Sequence, residues 1–340
     1  MPRLLLHIGD HKTGTSSIQQ TLAALDDPTI LYPETGRAAG FGHQNLAWEI
    51  GEDPRFDPDK GDWATLGAEI ACSDAETVVV STEALEFKQA DRALAHIRAR
   101  LRGTIDAIEV ALYLRPHAAR IRSSFAERLK RGHGPFETRA YLDWAINSGR
   151  FHYAPRLKAW ARAAGAKALK VRPFHHTRLK GGDVVTDFFA AHLNRSCPIS
   201  RVAANPSPSA PALRMLQIYG AALTKAGGRH LSKRRSSAVA QMAHSAFGPD
   251  QPRADWSLLE AEDIAEAFAN DARHTDAAIS SDGLFSAALA ETVERARSLG
   301  PQPPVLSAET EAAIAAAAAL YARDAARADG RSAETRSAAA

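Results

Sequence analysis

Cysteine is almost missing from this chain: its 340 residues include only Cys72 and Cys197, far apart and in no C-x-x-C pair. That scarcity excludes a disulfide framework and a thiolate zinc site, and it makes a reducing compartment the expectation. Long hydrophobic runs are missing too. The opening run Leu4 to Leu6 is broken by His7, too short for the core of a signal peptide, and nowhere do 18 apolar residues follow one another. A cytoplasmic protein without stable membrane insertion is therefore expected. Net charge is small as well. The excess of +3 does not make a nucleic-acid coat over this length, so no nucleic-acid partner is expected, although a local cluster can still hold a small anion. The G-x-S-x-G and G-x-G-x-x-G signatures are absent. His175 and His176 lack the spacing and the third ligand of a zinc site, and no metal is expected.

What is present suits a globular α/β protein. Hydrophobic residues make up 45%, enough for a sizeable core. Leu4–Ile8 is a short apolar run that ends at Gly9 and reads as a buried strand. Thr77–Ser81, Ile108–Leu114 and Leu169–Phe174 read the same way. Between and after them, helical spacing appears in Ile18, Leu22 and Leu25, in Leu94, Ile97 and Leu101, in Ile121, Phe125 and Leu129 behind Pro116, and around Val184–Leu193. Strands alternating with helices predict a three-layer, P-loop-like α/β domain with a central parallel sheet over residues 1–200. Asn205–Pro211 reads as a Pro/Ser linker. An Ala-rich helical C-terminal part over 201–325, packed on that core, includes the pattern Leu258–Phe268. Residues 326–340 are small, polar and aperiodic, which predicts a disordered tail.

The segment from Gly9 to Ser17, GDHKTGTSS, falls between the first strand and the first helix. Unpaired N–H groups and the helix dipole favour a bound phosphate or sulfate there. Gly14 permits close backbone approach, Thr13, Thr15, Ser16 and Ser17 offer hydroxyls, and Lys12 brings a full charge. Gly9 and Gly14 have the spacing of a nucleotidase P-loop, but Thr15 stands where that motif has lysine, and the second strand ends in no magnesium-holding Asp.

Strand–G-x-x-K-[TS]-G-T-[ST]–helix resembles the 5'-phosphosulfate loop of sulfotransferases that use 3'-phosphoadenosine-5'-phosphosulfate. A second stretch, Leu114-Arg115 through Arg120, Ser123 and Phe125, resembles the 3'-phosphate motif of carbohydrate-type members, with Pro116 one position early. Arg115 and Ser123 would clamp the 3'-phosphate. Tyr153-x-x-x-Leu157-x-x-Trp160 resembles a further helix of the family, and Tyr153 either faces the donor or packs a helix face. In the following Val171-Arg-Pro-Phe174, His175 stands where the family has an acid. The likeness covers about residues 3–195.

That resemblance implies sulfonate transfer to an acceptor hydroxyl or amine, on a small molecule or glycan, with Lys12 stabilising the leaving oxygen. Glu83, in a setting that loosely resembles the base-bearing segment of glycan sulfotransferases, and His43, whose side chain suits neutral pH, are rival candidates for the general base. Ser232–Ser236 is a basic cluster that reads as a solvated face or a further anion contact. Two other functions fit the same residues: an ATP-dependent kinase with a degenerate P-loop, and a nucleotide-binding protein without catalysis.

Overall fold

The computed structural model describes residues 1–38, 40–197, 208–227, 233–247 and 251–337, and the side chains within these ranges except those of 233–235 and 324–337. Five strands form one sheet: β1 (Arg3–His7), β2 (Ile30–Leu31), β3 (Thr77–Ser81), β4 (Ala107–Leu114) and β5 (Leu169–Pro173). All neighbours are parallel, in the order β2-β3-β1-β4-β5. The register sets Leu6 beside Val80 and Val110, and His7 beside Ser81 and Ala111, so the strands end close together at one edge. The helices are α1 (Thr15–Ala23), α2 (Gln44–Ile50), α3 (Trp63–Ala71), α4 (Ala90–Arg100), α5 (His117–Lys130), α6 (Thr138–Asn147), α7 (Ala154–Ala164) and α8 (Val184–His192). They are followed by α9 (Ala210–Lys225), α10 (Lys233–Phe247), α11 (Leu258–Ile279), α12 (Leu284–Leu299) and α13 (Ala308–Ser337).

The chain forms two compact units: Met1–His117 with His152–Asn205 and Ala269–Ala288, and Ala118–Phe151 with Pro206–Phe268 and Leu289–Ala340. In the first, the central strands are apolar on both faces because both are covered. Leu5, Val79, Ala111 and Tyr113 share one core with Ile18 and Leu22 of α1 and Phe188 and Phe189 of α8. On the other side Leu4, Leu6, Val78, Val80, Val110 and Leu112 are fully buried, and α7 packs on β4 and β5 with α4 beside it. This is the expected three-layer α/β arrangement with a parallel sheet. In the second unit α9 packs between α13 and α10. Arg214 grips Glu311 through two bonds of 2.7 and 2.9 Å. Gly220 of α9 lies against Phe136, where a Cβ would stand 2.1 Å from the ring.

Three features differ from the sequence reading. β2 has two residues, too few for a hydrophobic pattern to register. The boundary near residue 200 is replaced by an interleaved division, with 118–151 grouped with later helices and 269–288 with the sheet. The tail expected to be disordered from 326 is helical in its backbone to Ser337, as a run of Ala, Arg and Glu without proline favours. Of the linker, residues 205–207 lie outside the described residues; Ser209 already stands at the N-cap position of α9, whose second residue is Pro211. Ser232 of the basic cluster is likewise outside them, while Lys233–Ser236 begin α10. No described helix is long and apolar enough to cross a membrane.

The core beneath the sheet holds two histidines, His7 and His192, each packed against Phe188 and Tyr113. Burial pushes both down to about 3, and for His192 the neighbouring His7 adds to it. Their folded values lie below the ordinary 6.5, so the stability they permit is complete above about pH 6.5 and is lost as pH falls toward 3. Between pH 7 and 5 each removes ~2 kcal/mol. Urea melts at the two pH values should show that fall, and in His192→Leu, which cannot protonate, it should be smaller by ~2 kcal/mol. An equal fall in the variant would remove His192 as a cause.

Candidate functional site

Strand order reverses at β1: the chain builds β2 and β3 on one side of it, then β4 and β5 on the other. In parallel α/β sheets ligands collect at such a reversal, beyond the carboxyl ends of the strands. The loop from Ile8 to Gly14 occupies that place. It continues along β4, with Ile8 N–H donating to the Ala111 carbonyl over 3.1 Å and Asp10 N–H to that of Tyr113 over 3.3 Å. Three of its residues have left-handed backbones: Gly9 (φ 78°), Lys12 (φ 69°) and Gly14 (φ 76°). Two glycines accept this without cost, whereas for Lys12 it costs ~1 kcal/mol. Turns of this alternating kind direct successive N–H groups into a concavity that suits an anion. Gly14 is the N-cap of α1, and the first N–H groups of a helix lack intrahelical partners. Here glycine is required sterically as well, since a Cβ on Gly14 would lie 2.6 Å from Val184 Cγ1.

The hydroxyls divide. Thr13 and Thr15 are buried; Thr13 Oγ1 donates to the Asp10 carbonyl over 2.5 Å, and Thr15 Oγ1 donates to Glu83 Oε1. These two hold the loop in shape. Ser16 is exposed and Ser17 half-buried, and neither side chain is hydrogen-bonded among the described residues.

Arg115 follows β4 directly. Its Nη1 donates to the Lys12 carbonyl over 3.2 Å, and its guanidinium lies 5.3 Å over the Phe174 ring. The sheet thus brings Arg115 and Lys12, 103 residues apart, to one place. Tyr153 is buried, and its hydroxyl donates to the Arg115 carbonyl over 2.7 Å. Asp271 in turn accepts from Tyr153 N–H (2.7 Å), Ala154 N–H (3.0 Å) and the His117 ring (2.9 Å), which hold its carboxyl below the usual range against the opposing effect of burial. Ser123 and Arg120 belong to the second unit, Ser123 half-buried and Arg120 buried against Phe151.

The two base candidates are placed differently. Glu83 opens the 3-10 turn Glu83–Leu85 after β3 and is half-buried beside the loop, with its carboxylate tied to Thr15 and the Gln19 and Gln44 amides 3.5 Å away. His43 is fully buried. Ser81 N–H donates to its Nδ1 over 3.1 Å, so the proton sits on Nε2, which donates to the Pro33 carbonyl over 2.9 Å. Burial pushes it down to about 4, only partly offset by these carbonyls. Neither nitrogen is left for a substrate, and His43 is a strut between β3 and the preceding loop.

Four residues next to the loop carry chemistry that the sequence reading passed over. Asp10, His11 and Glu86 bring three candidate ligand atoms within 4.8 Å. A cation already sits among them: Arg156 Nη1 is 2.5 Å from Glu86 Oε1, and Nη2 is 3.8 Å from Asp10 Oδ2. Arg156 cancels two carboxylates that would otherwise repel an anion at Lys12. Its only signal in the sequence was its place inside the Tyr153-x-x-x-Leu157 stretch, and that of Glu86 was its spacing of three from Glu83.

No protein-family model matches the chain, and no curated protein does. A crystal structure of a sulfotransferase from Alicyclobacillus acidocaldarius is similar over 82% of this chain and 96% of that one, at 15% identity and a TM-score of 0.40. So loose a likeness carries no argument about function.

Gly14→Ala places a side chain in a left-handed backbone and against Val184. It should cost ~2–3 kcal/mol in urea unfolding, part of it the backbone and part the clash. Gly14→Ala with Val184→Ala should avoid the clash and keep the backbone cost. If Gly14→Ala matches the parent in stability, the loop conformation described here is wrong.

Proposed function

We propose that this chain is a sulfotransferase, moving a sulfonate group from 3'-phosphoadenosine-5'-phosphosulfate to an acceptor hydroxyl or amine, with a carbohydrate or glycolipid as the acceptor class. The observation that supports this most is the joining of two cationic loops across the strand reversal, Lys12 after β1 and Arg115 after β4, linked through the Lys12 carbonyl. A donor with one anionic group at its 5' end and another at its 3' end needs two such anchors.

When bound, the donor supplies the sulfonate and departs as 3',5'-bisphosphoadenosine. Lys12 and the N–H groups of the loop and of the α1 terminus stabilise the charge that builds on the leaving oxygen. Gly14, Thr13 and Thr15 give the loop its shape, and Ser16 and Ser17 add hydroxyl donors to the 5' phosphosulfate. Arg115 holds the 3'-phosphate. The acceptor's proton was expected to go to Glu83 or His43. His43 has no nitrogen to offer, and Glu83 lies at the rim with its carboxylate engaged by Thr15. A cytoplasmic setting is part of the same proposal.

Calorimetric titration should show binding of 3',5'-bisphosphoadenosine and no preference for ATP with magnesium; the reverse preference would move the chain to the kinases. Lys12→Ala should lower turnover on the order of a hundredfold, as the loss of one transition-state donor does. Near-parent turnover would displace the donor from this loop. Arg115→Ala should weaken bisphosphoadenosine by ~2–3 kcal/mol and adenosine 5'-phosphosulfate hardly at all. Equal losses would make Arg115 a structural residue.

A further inference from the structure

His11 stands immediately before Lys12, and its ring is held in a manner unlike that of the other loop residues. Glu86 Oε2 accepts the His11 backbone N–H over 2.9 Å and also the ring Nδ1. The Glu86 side chain is wholly buried while that of His11 is 48% exposed. The opposite carboxylate oxygen is fixed by Arg156 Nη1 at 2.5 Å. One face of the imidazole lies along Phe87, with ring centres 6.0 Å apart and planes at 23°. A carboxylate only accepts, so Nδ1 carries the hydrogen and Nε2 carries the lone pair. Among the described residues no hydrogen bond occupies Nε2.

A buried carboxylate on Nδ1, a fixed ring plane and a lone pair on an exposed Nε2 are together the arrangement of an oriented general base. This one stands on the loop that carries Lys12, at the edge of the sheet where the strand order reverses. We propose that His11 Nε2 takes the proton of the acceptor, with Glu86 as the residue that positions it. The inference rests on the sulfonate-transfer reading and deepens it. As the acceptor oxygen bonds to sulfur, its O–H proton passes to His11 Nε2. The bond from sulfur to the bridging oxygen breaks, and its electron pair leaves with bisphosphoadenosine. The proton then passes from the imidazolium to solvent. Glu83 is left with the task of holding Thr15.

Water serves as the acceptor in the test, so no knowledge of the natural one is needed. Release of bisphosphoadenosine from 3'-phosphoadenosine-5'-phosphosulfate is followed for the full chain and for His11→Ala, His11→Gln, Glu86→Gln and Glu83→Gln. Both His11 variants should lose about 10²–10³ in turnover, while bisphosphoadenosine affinity by calorimetry stays within about threefold. Added imidazole should restore part of the turnover of His11→Ala. Glu86→Gln should lose about tenfold in kcat with KM for the donor within about threefold, because the ring is no longer held in place. A merely structural role for His11 would not give the rescue. Full turnover in His11→Gln, or a hundredfold loss confined to Glu83→Gln, overturns the assignment while sulfonate transfer stands. A parent chain that neither binds bisphosphoadenosine nor consumes the donor overturns both.

Discussion

The hydrogen bond from Arg115 to the Lys12 carbonyl ties together the ends of two strands that the chain builds far apart. Everything at the candidate site depends on that crossing. It can form only because β1 and β4 are neighbours in a parallel sheet whose order reverses there. The bond uses a main-chain acceptor, so the Lys12 side chain is not the group that holds Arg115. Tyr153 fixes the other side of the crossing by donating to the Arg115 carbonyl, and Asp271 fixes Tyr153 and the start of α7. A chain of part-buried and buried contacts to main-chain groups thus positions the cations, and partnered polar groups of this kind make a rigid support.

Charge around the loop is arranged with similar economy. Three acids, Asp10, Glu83 and Glu86, lie close to a place argued to receive an anion, which alone would oppose it. Arg156 lies against two of them and Thr15 engages the third. Arg156 is nearly buried between the Tyr153 and Phe87 rings, and the two carboxylates beside it hold its guanidinium firmly protonated against the effect of burial. Removing it would take a guanidinium from beside two buried carboxylates, a larger disturbance than the loss of a surface pair.

Legibility in the sequence followed the range of the interaction. The strands Leu4–Ile8, Thr77–Ser81 and Ile108–Leu114 were readable to within a residue at either end, because strands covered on both faces are mostly apolar runs. Lys12 to Ser17 were readable because a strand, a glycine loop and a helix start are contiguous. Arg156 and Glu86 were not, since the meaning of each lies in a partner 70 residues away. The setting of His43 was hidden for the same reason: the sequence shows a side chain that suits neutral pH, and only the fold shows that Ser81 and Pro33 take both nitrogens. The interleaving of the two units was beyond any composition shift, because both draw on Ala-rich amphipathic helices of one kind.

Glu86 is where these two supports meet. One oxygen takes the guanidinium that cancels its charge, and the other takes both the backbone and the ring of His11. A neutral amide could accept on one side only and would turn a donor toward either Arg156 or His11. A shorter Asp would have to give up one partner to reach the other. The residue type is therefore set by two requirements at once, a full negative charge for Arg156 and a second acceptor atom for His11. Glu83, three residues earlier on the same turn, answers to a different partner in Thr15. Two glutamates one turn apart thus divide the loop between them, one acting on the residue before the lysine and one on the residue after Gly14.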